Sequence, residues 1–227
     1  MNTDVIIIEE GVYMLEKYVE ELAQSYDLKE KENEEFSSFK VSGMNFDVKA
    51  YEALFLGNVS LMKAKMPLGL MEMETLIINP FELDAPLLSI DLIKAMGKIT
   101  LIIEQYDTLV QGDRKEQAFL AIKKKYEDLN EETTKPNWYD ELRYSSSLKK
   151  KVSKKEAARI EALIDEFFEA YLDVCRDTRV CDYDEKKAKA DVYRDGLLNN
   201  GGPATDTFLK AWGREKSEKF FKEVLFG

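Results

Sequence analysis

Asp91 stands alone in the run Pro86-Leu87-Leu88-Ser89-Ile90-Asp91-Leu92-Ile93, whose other members read as a buried strand. Period-2 alternation puts Leu87, Ser89 and Asp91 on one face and Leu88, Ile90 and Leu92 on the other. An ionised carboxylate inside a sheet is costly unless it is paired or faces a wet cavity. It escapes that cost by keeping its proton at higher pH. A poised proton on a pocket-facing strand is what general-acid chemistry requires. The plainer alternative is a strand Asp that reaches water or binds a neighbouring backbone group.

Other polar residues invite chemistry less directly. Lys63 and Lys65 share one strand face, and Met62, Ala64 and Met66 the other. Two such lysines could grip a carboxylate ligand, or simply face solvent. Thr75 shares its face with Met71 and Met73. Lys149-Lys150-Lys151 with Lys154-Lys155 is a basic cluster on a chain of net charge −11. It reads either as a solvated helix start or as a docking patch for an acidic partner. The chain contains no histidine, which excludes Ser-His and Cys-His catalysis. With Cys175 and Cys181 as the only thiols, a zinc site is not expected, nor a disulfide framework. No phosphate-cradling glycine loop occurs; Gly201-Gly202 is a turn dipeptide.

The elements that must position these groups follow from periodicity. Val12, Leu15, Val19, Leu22 and Tyr26 mark an N-terminal helix, and Lys29 to Glu35 a charged linker. Extended segments are expected at Phe36–Ser42, Phe46–Leu54, Val59–Met66, Leu70–Ile78, Leu87–Ile93 and Ile99–Glu104, with a further strand at Glu141–Leu148. Pro67-Leu68-Gly69 makes the third and fourth a hairpin. Short links between successive strands imply an antiparallel meander. Gln117–Leu129 reads as helical, as does Glu185–Leu198 more weakly. Ile160, Leu163, Ile164, Phe167, Phe168, Tyr171 and Leu172 form a strong amphipathic stripe. After the loop Asn199-Asn200-Gly201-Gly202-Pro203, one helix is expected over Ala204–Leu225. Helix, meander, then helices gives an α+β fold, with one sheet between helices, and residues 1–227 read as a single domain. Acidic charge argues against general nucleic-acid binding. No run is long enough for a transmembrane helix, since Val5-Ile6-Ile7-Ile8 stops at Glu9-Glu10, and a cytoplasmic location is expected.

The segment Leu83-Asp84-Ala85-Pro86 through Ile93, followed by Ile99–Ile103, resembles the ferredoxin-dependent bilin reductase superfamily. Lys63–Leu70 with its Pro67-Leu68-Gly69 turn looks most like the red chlorophyll catabolite reductase branch. Lys135-Pro136-Asn137-Trp138, Asn200–Ala204, and Phe208–Gly213 with Phe220–Phe226 resemble further family segments in the same order. The resemblance implies a three-layer α/β/α sandwich with a central antiparallel sheet. It also implies reduction of a linear tetrapyrrole such as biliverdin, with electrons from reduced ferredoxin, protons from protein and water, and no bound cofactor or metal. On it, Asp91 corresponds to the sheet acid and Asp206 is the nearest substitute for a second proton donor. Lys63, Lys65, Thr75 and Asn200 would lie at the substrate, and Lys149, Lys150 and Lys151 at the partner. The positions where phycocyanobilin-forming members carry His look like Thr75, Lys63 and Lys65, and the family's loop Asp appears as Gly202. These departures leave a second reading, a non-catalytic tetrapyrrole carrier of the same fold.

Overall fold

The computed structural model describes residues 14–133 and 136–227. Val5–Ile8, Val12 and Lys135 lie outside them. Eight strands are present: β1 (Leu28–Glu30), β2 (Ser38–Val41), β3 (Met44–Ala53), β4 (Gly57–Lys65), β5 (Met71–Pro80), β6 (Leu87–Ala95), β7 (Lys98–Tyr106) and β8 (Leu148–Ser153). The helices are α1 (Glu16–Ser25), α2 (Gln117–Lys125), α3 (Ala157–Arg176), α4 (Tyr183–Asn200), α5 (Pro203–Trp212) and α6 (Arg214–Phe220).

All strands join one antiparallel sheet in the order β1-β3-β4-β5-β6-β7-β8, with β2 beside β1 on the outer edge of β3. The meander follows from short turns between strands of period-2 patterning. Val59, Leu61, Leu76, Ile78, Leu88, Ile90, Leu92, Leu101 and Ile103 face α1, α2 and α3, forming one core. The stripe expected on α3 is buried throughout, from Ile160 to Leu172, and Cys175 continues it. Phe46, Val48, Ala50, Met62, Ala64, Ile77 and Leu87 face α4, α5 and α6, forming the second core. The sheet is therefore sandwiched between two helical layers, the arrangement expected of two buried faces. No helix among the described residues is long and apolar enough to cross a membrane.

Four expectations need correction. Part of the supposed linker 29–35 is strand, because Leu28–Glu30 pairs with Tyr51–Ala53 at an otherwise open edge. The late strand is Leu148–Ser153 rather than Glu141–Leu148; Val152 and Leu148 supply its inward face. The second helix stops at Lys125, where Tyr126 turns its backbone N–H back to Ile122 and Lys124. The final helix is broken at Gly213, whose φ of 77° lies outside the helical region. The second half, α6, then ends in a π-type turn, Phe221–Leu225.

Candidate functional site

The sheet register sets Val48, Met62, Thr75, Asp91, Ile102 and Lys149 in one row across the face under α4–α6. Directly opposed residues of antiparallel strands point to the same side. Thr75 and Asp91 therefore meet, and the Thr75 hydroxyl donates to Asp91 Oδ1 at 2.5 Å. The C-terminal helices cover the β2–β4 half of this face, where Phe46, Val48, Ala50, Met62 and Ala64 are buried. Around Asp91 the cover thins: Met73, Ile93, Thr100 and Ile102 are only half-buried. Asp91 thus stands in the middle of a partly open apolar strip.

Burial pushes the Asp91 carboxyl up to about 6. The hydroxyls of Thr75 and Ser89 pull the other way, and the Glu104 carboxylate adds to the rise. Glu104 projects from the same face, opposite Ser89. It accepts from the Tyr106 hydroxyl at 2.6 Å and pairs with Arg143 at 3.0 Å, which also holds Asp140 at 2.7 Å. Tyr106 stacks on Tyr193 with ring centroids 3.9 Å apart. Tyr139 meets Tyr106 edge-on, 5.7 Å between centroids. Burial first, then the charges of Glu104 and Asp91, raise the phenols of Tyr139 and Tyr193. Both phenols therefore keep their protons at neutral pH, as hydrogen-bond donors beside a titrating carboxyl. A cleft of about 610 Å³ opens between Glu104, Arg143, Tyr144 and Lys149, at the β7–β8 end of the strip. A second cavity of about 470 Å³ surrounds Asp84, Gln111 and Cys181; Asp91 lines neither.

The other sequence-derived site residues are dispersed. Lys63 and Lys65 lie on the opposite face, one residue out of phase with Met62 and Ala64. Lys63 pairs with Glu16 of α1 at 2.7 Å, and Lys65 with Glu72 at 2.9 Å. Strand alternation thus puts both on the face away from the Asp91 strip. Lys150 is also turned inward: it is wholly buried and donates to the Leu129 carbonyl at 3.1 Å and to Glu131 at 3.0 Å. The basic triplet is therefore a strand with alternating faces, not one patch. Lys149 and Lys151 stay on the Asp91 side and share Glu132, at 3.1 and 3.0 Å. Asn200 ends α4 exposed. Asp206 is exposed in the first turn of α5, a helix that packs on β2, four strands across from β6. Neither joins Asp91.

Sequence reasoning missed the Glu104–Arg143–tyrosine group, because its members are separated along the chain and share no motif. The one available signal was alternation, which places Glu104 in phase with Ile102. It also missed Lys186 on α4, wholly buried, whose ammonium donates to the Ala85 carbonyl at 2.5 Å, the Thr108 carbonyl at 2.8 Å and the Thr108 hydroxyl at 2.9 Å. Asp84 has a structural use: its carboxylate accepts the backbone N–H groups of Val110, Gln111 and Gly112 at 2.7 to 2.9 Å. Burial opposes its ionisation, but these three bonds prevail and hold it below the ordinary range.

No family model matches the chain. No curated protein matches it either. Among solved structures, it is similar to phytochromobilin synthase from tomato, in complex with biliverdin, with a TM-score of 0.72 and 14% sequence identity. The match covers 94% of this chain and 81% of that one. The two proteins share a fold, one antiparallel sheet between helices.

Proposed function

We propose that this protein is a ferredoxin-dependent reductase of a linear tetrapyrrole, and that Asp91 delivers a proton to the substrate. The observation that carries the proposal is a carboxyl raised to about 6 at the centre of a half-open apolar strip. Its support is the fold shared with a bilin-bound enzyme. A flat, conjugated, apolar molecule fits a floor of Met73, Ile93 and Ile102. Its acidic side chains suit the end of the strip near Arg143 and Lys149. Two electrons, delivered one at a time by reduced ferredoxin, and two protons add across one double bond. Asp91 supplies one proton and is reprotonated by solvent. Water entering from the open side supplies the other, since Asp206 faces solvent on another helix. Lys149 and Lys151 form the docking edge for the acidic ferredoxin, as Glu132 offsets only one of their two charges. Within the superfamily we place the chain nearest the red chlorophyll catabolite reductase branch, on its Pro67-Leu68-Gly69 turn and Asp84-Ala85-Pro86 segment.

A carrier without chemistry is the second reading. It is favoured by the position of Asp206, which leaves Asp91 as the one carboxyl of the predicted pair on the strip. One experiment separates the two. Biliverdin is incubated anaerobically with the protein, ferredoxin and a ferredoxin-reducing system, and its absorbance is followed. A ferredoxin-dependent spectral change that slows about 10²–10⁴-fold in Asp91→Asn supports the reductase. A shifted but stable bilin spectrum supports the carrier. No bilin binding defeats both.

A further inference from the structure

One end of the sheet exposes apolar side chains at positions where turn chemistry does not call for them. Leu68 is 96% exposed, Met96 93% and Leu70 61%. Leu68 and Met96 have φ of 62° and 46°, the left-handed region that Gly, Asn and Asp favour. Met96-Gly97 is a two-residue hairpin loop between paired Ala95 and Lys98. Its first position is ordinarily Asn, Asp or Gly. An exposed Met there gains nothing from folding.

The register brings these prongs together. Lys65 pairs with Glu72, Met71 with Ala95, and Ala95 with Lys98, so the β4–β5 and β6–β7 turns leave the sheet at the same end. Two strand spacings separate them, about 10 Å. Lys154 donates its backbone N–H to the Gly97 carbonyl at 3.2 Å, which sets Lys154-Lys155 beside Met96. Lys94, Lys98, Lys154 and Lys155 make no ion pair with any described residue. This is a cationic ring around apolar tips, on a chain whose net charge is −11.

We propose that this end of the sheet binds the surface of an anionic lipid bilayer. Leu68, Leu70 and Met96 enter the boundary between headgroups and acyl chains, and the four lysines meet lipid phosphates and carboxylates. Charge complementarity selects an anionic surface. Shape selects a bilayer over a protein: the apolar groups are separate prongs on two turns, whereas a protein interface of standard size buries about 800 Å² of continuous surface per side. Lysine stems of this length lie along the apolar boundary while the ammonium stays wet. The contact is peripheral and reversible, and it is independent of the tetrapyrrole proposal.

The test is co-sedimentation of the full chain with phosphatidylcholine vesicles, with and without phosphatidylserine. Binding is expected only with phosphatidylserine, and is weakened by salt. Lys94→Gln, Lys98→Gln, Lys154→Gln and Lys155→Gln together should lower partitioning by about a hundredfold or more, at roughly fivefold per lysine. Leu68→Asn with Met96→Asn should also lower it, by at least tenfold. Asn suits both backbone conformations, so the fold stays intact. Absence of binding to phosphatidylserine vesicles overturns the proposal. So does binding that either set of changes leaves untouched. If the lysine variant binds vesicles normally but loses ferredoxin-supported reduction, the surface docks a protein and the proposal falls.

Discussion

Replacing Asp91 by Asn tests the electrostatics of the strip without any substrate. The carboxyl is moved from an ordinary 3.8 up to about 6, chiefly by burial. At about 1.4 kcal/mol per tenfold change, that move corresponds to roughly 3 kcal/mol. Its sign follows from proton counting. Between pH 4 and 6 the native state holds the Asp91 proton and the unfolded chain has released it. The native state then binds more protons, so stability falls as pH rises through this window. Below it both states are protonated and the contribution is fully present. Above pH 6 the native protein carries a half-buried carboxylate and the contribution is gone.

Asn has the shape of Asp and no proton to lose. The stability difference, variant minus wild type, should therefore grow by about 2 kcal/mol between pH 4.5 and pH 8, in favour of the variant. Titrating groups that do not feel the Asp91 charge are common to both proteins and cancel. Any fixed cost, such as a weaker bond from Thr75, shifts the whole curve without tilting it. Urea denaturation of both proteins at several pH values measures the slope directly. A difference that stays flat within about 0.5 kcal/mol would mean that the carboxyl is solvated, and would remove the reason for assigning it a proton-donating role.

In the same protein, the single-turnover rate of bilin reduction should fall about tenfold per pH unit above 6, as Asp91 loses its proton; a rate rising through that range would exclude it as the acid. Lys186 is expected to tilt stability the other way. Burial lowers its ammonium to about 8, so between pH 8 and 10.5 the unfolded chain binds more protons and stability rises with pH, by about 3 kcal/mol in denaturation experiments. That rise should vanish in Lys186→Met. Gly196→Ala should destabilise α4 by about 1–3 kcal/mol by thermal melting, although Ala usually helps a helix. A Cβ there would sit 2.2 Å from Trp138 Cη2 and displace the indole, whose N–H donates to the Gly201 carbonyl at 3.0 Å. Asn58→Ala should cost about 1–3 kcal/mol in urea, since the buried Asn58 amide donates to the Val224 and Leu225 carbonyls at 3.2 and 3.1 Å.

The meander and the α3 stripe were legible because each rests on local periodicity. Leu88, Ile90 and Leu92 alternate with Leu87, Ser89 and Asp91, and the structure keeps that division. The same rule read across strands would have separated Lys63 and Lys65 from Asp91, but it needs the register between β4 and β6. Register is a tertiary fact, fixed by where each turn begins. The 148–153 strand is hidden in the sequence for a different reason. Three consecutive lysines look uniformly solvated until Glu131 and Glu132, nearly twenty residues earlier, receive them. Helix α4 read as weak because it buries Lys186 and Arg194, charges that count as polar in any pattern.

Burial of a carboxylate does not by itself mark a site, and Glu74 shows why. It lies on β5, one strand from Asp91 and on the opposite face, and it is only 5% exposed. Its two oxygens accept the backbone N–H groups of Met14 and Leu15 at 3.0 and 2.8 Å, at the start of α1. Glu74 is thus a buried side chain whose two oxygens anchor the start of a helix. Among the described residues, Asp91 receives side-chain hydroxyls, and it faces the Glu104 charge from β7. The hydroxyls of Thr75 and Ser89 favour the ionised form, but burial and the Glu104 charge outweigh them. The contrast rests on what each face offers. The α1–α3 side supplies the backbone N–H groups of a helix start, whereas the strip at Asp91 is covered by side chains and, among the described residues, only in part. A carboxyl placed there stays free to exchange its proton with whatever occupies the strip.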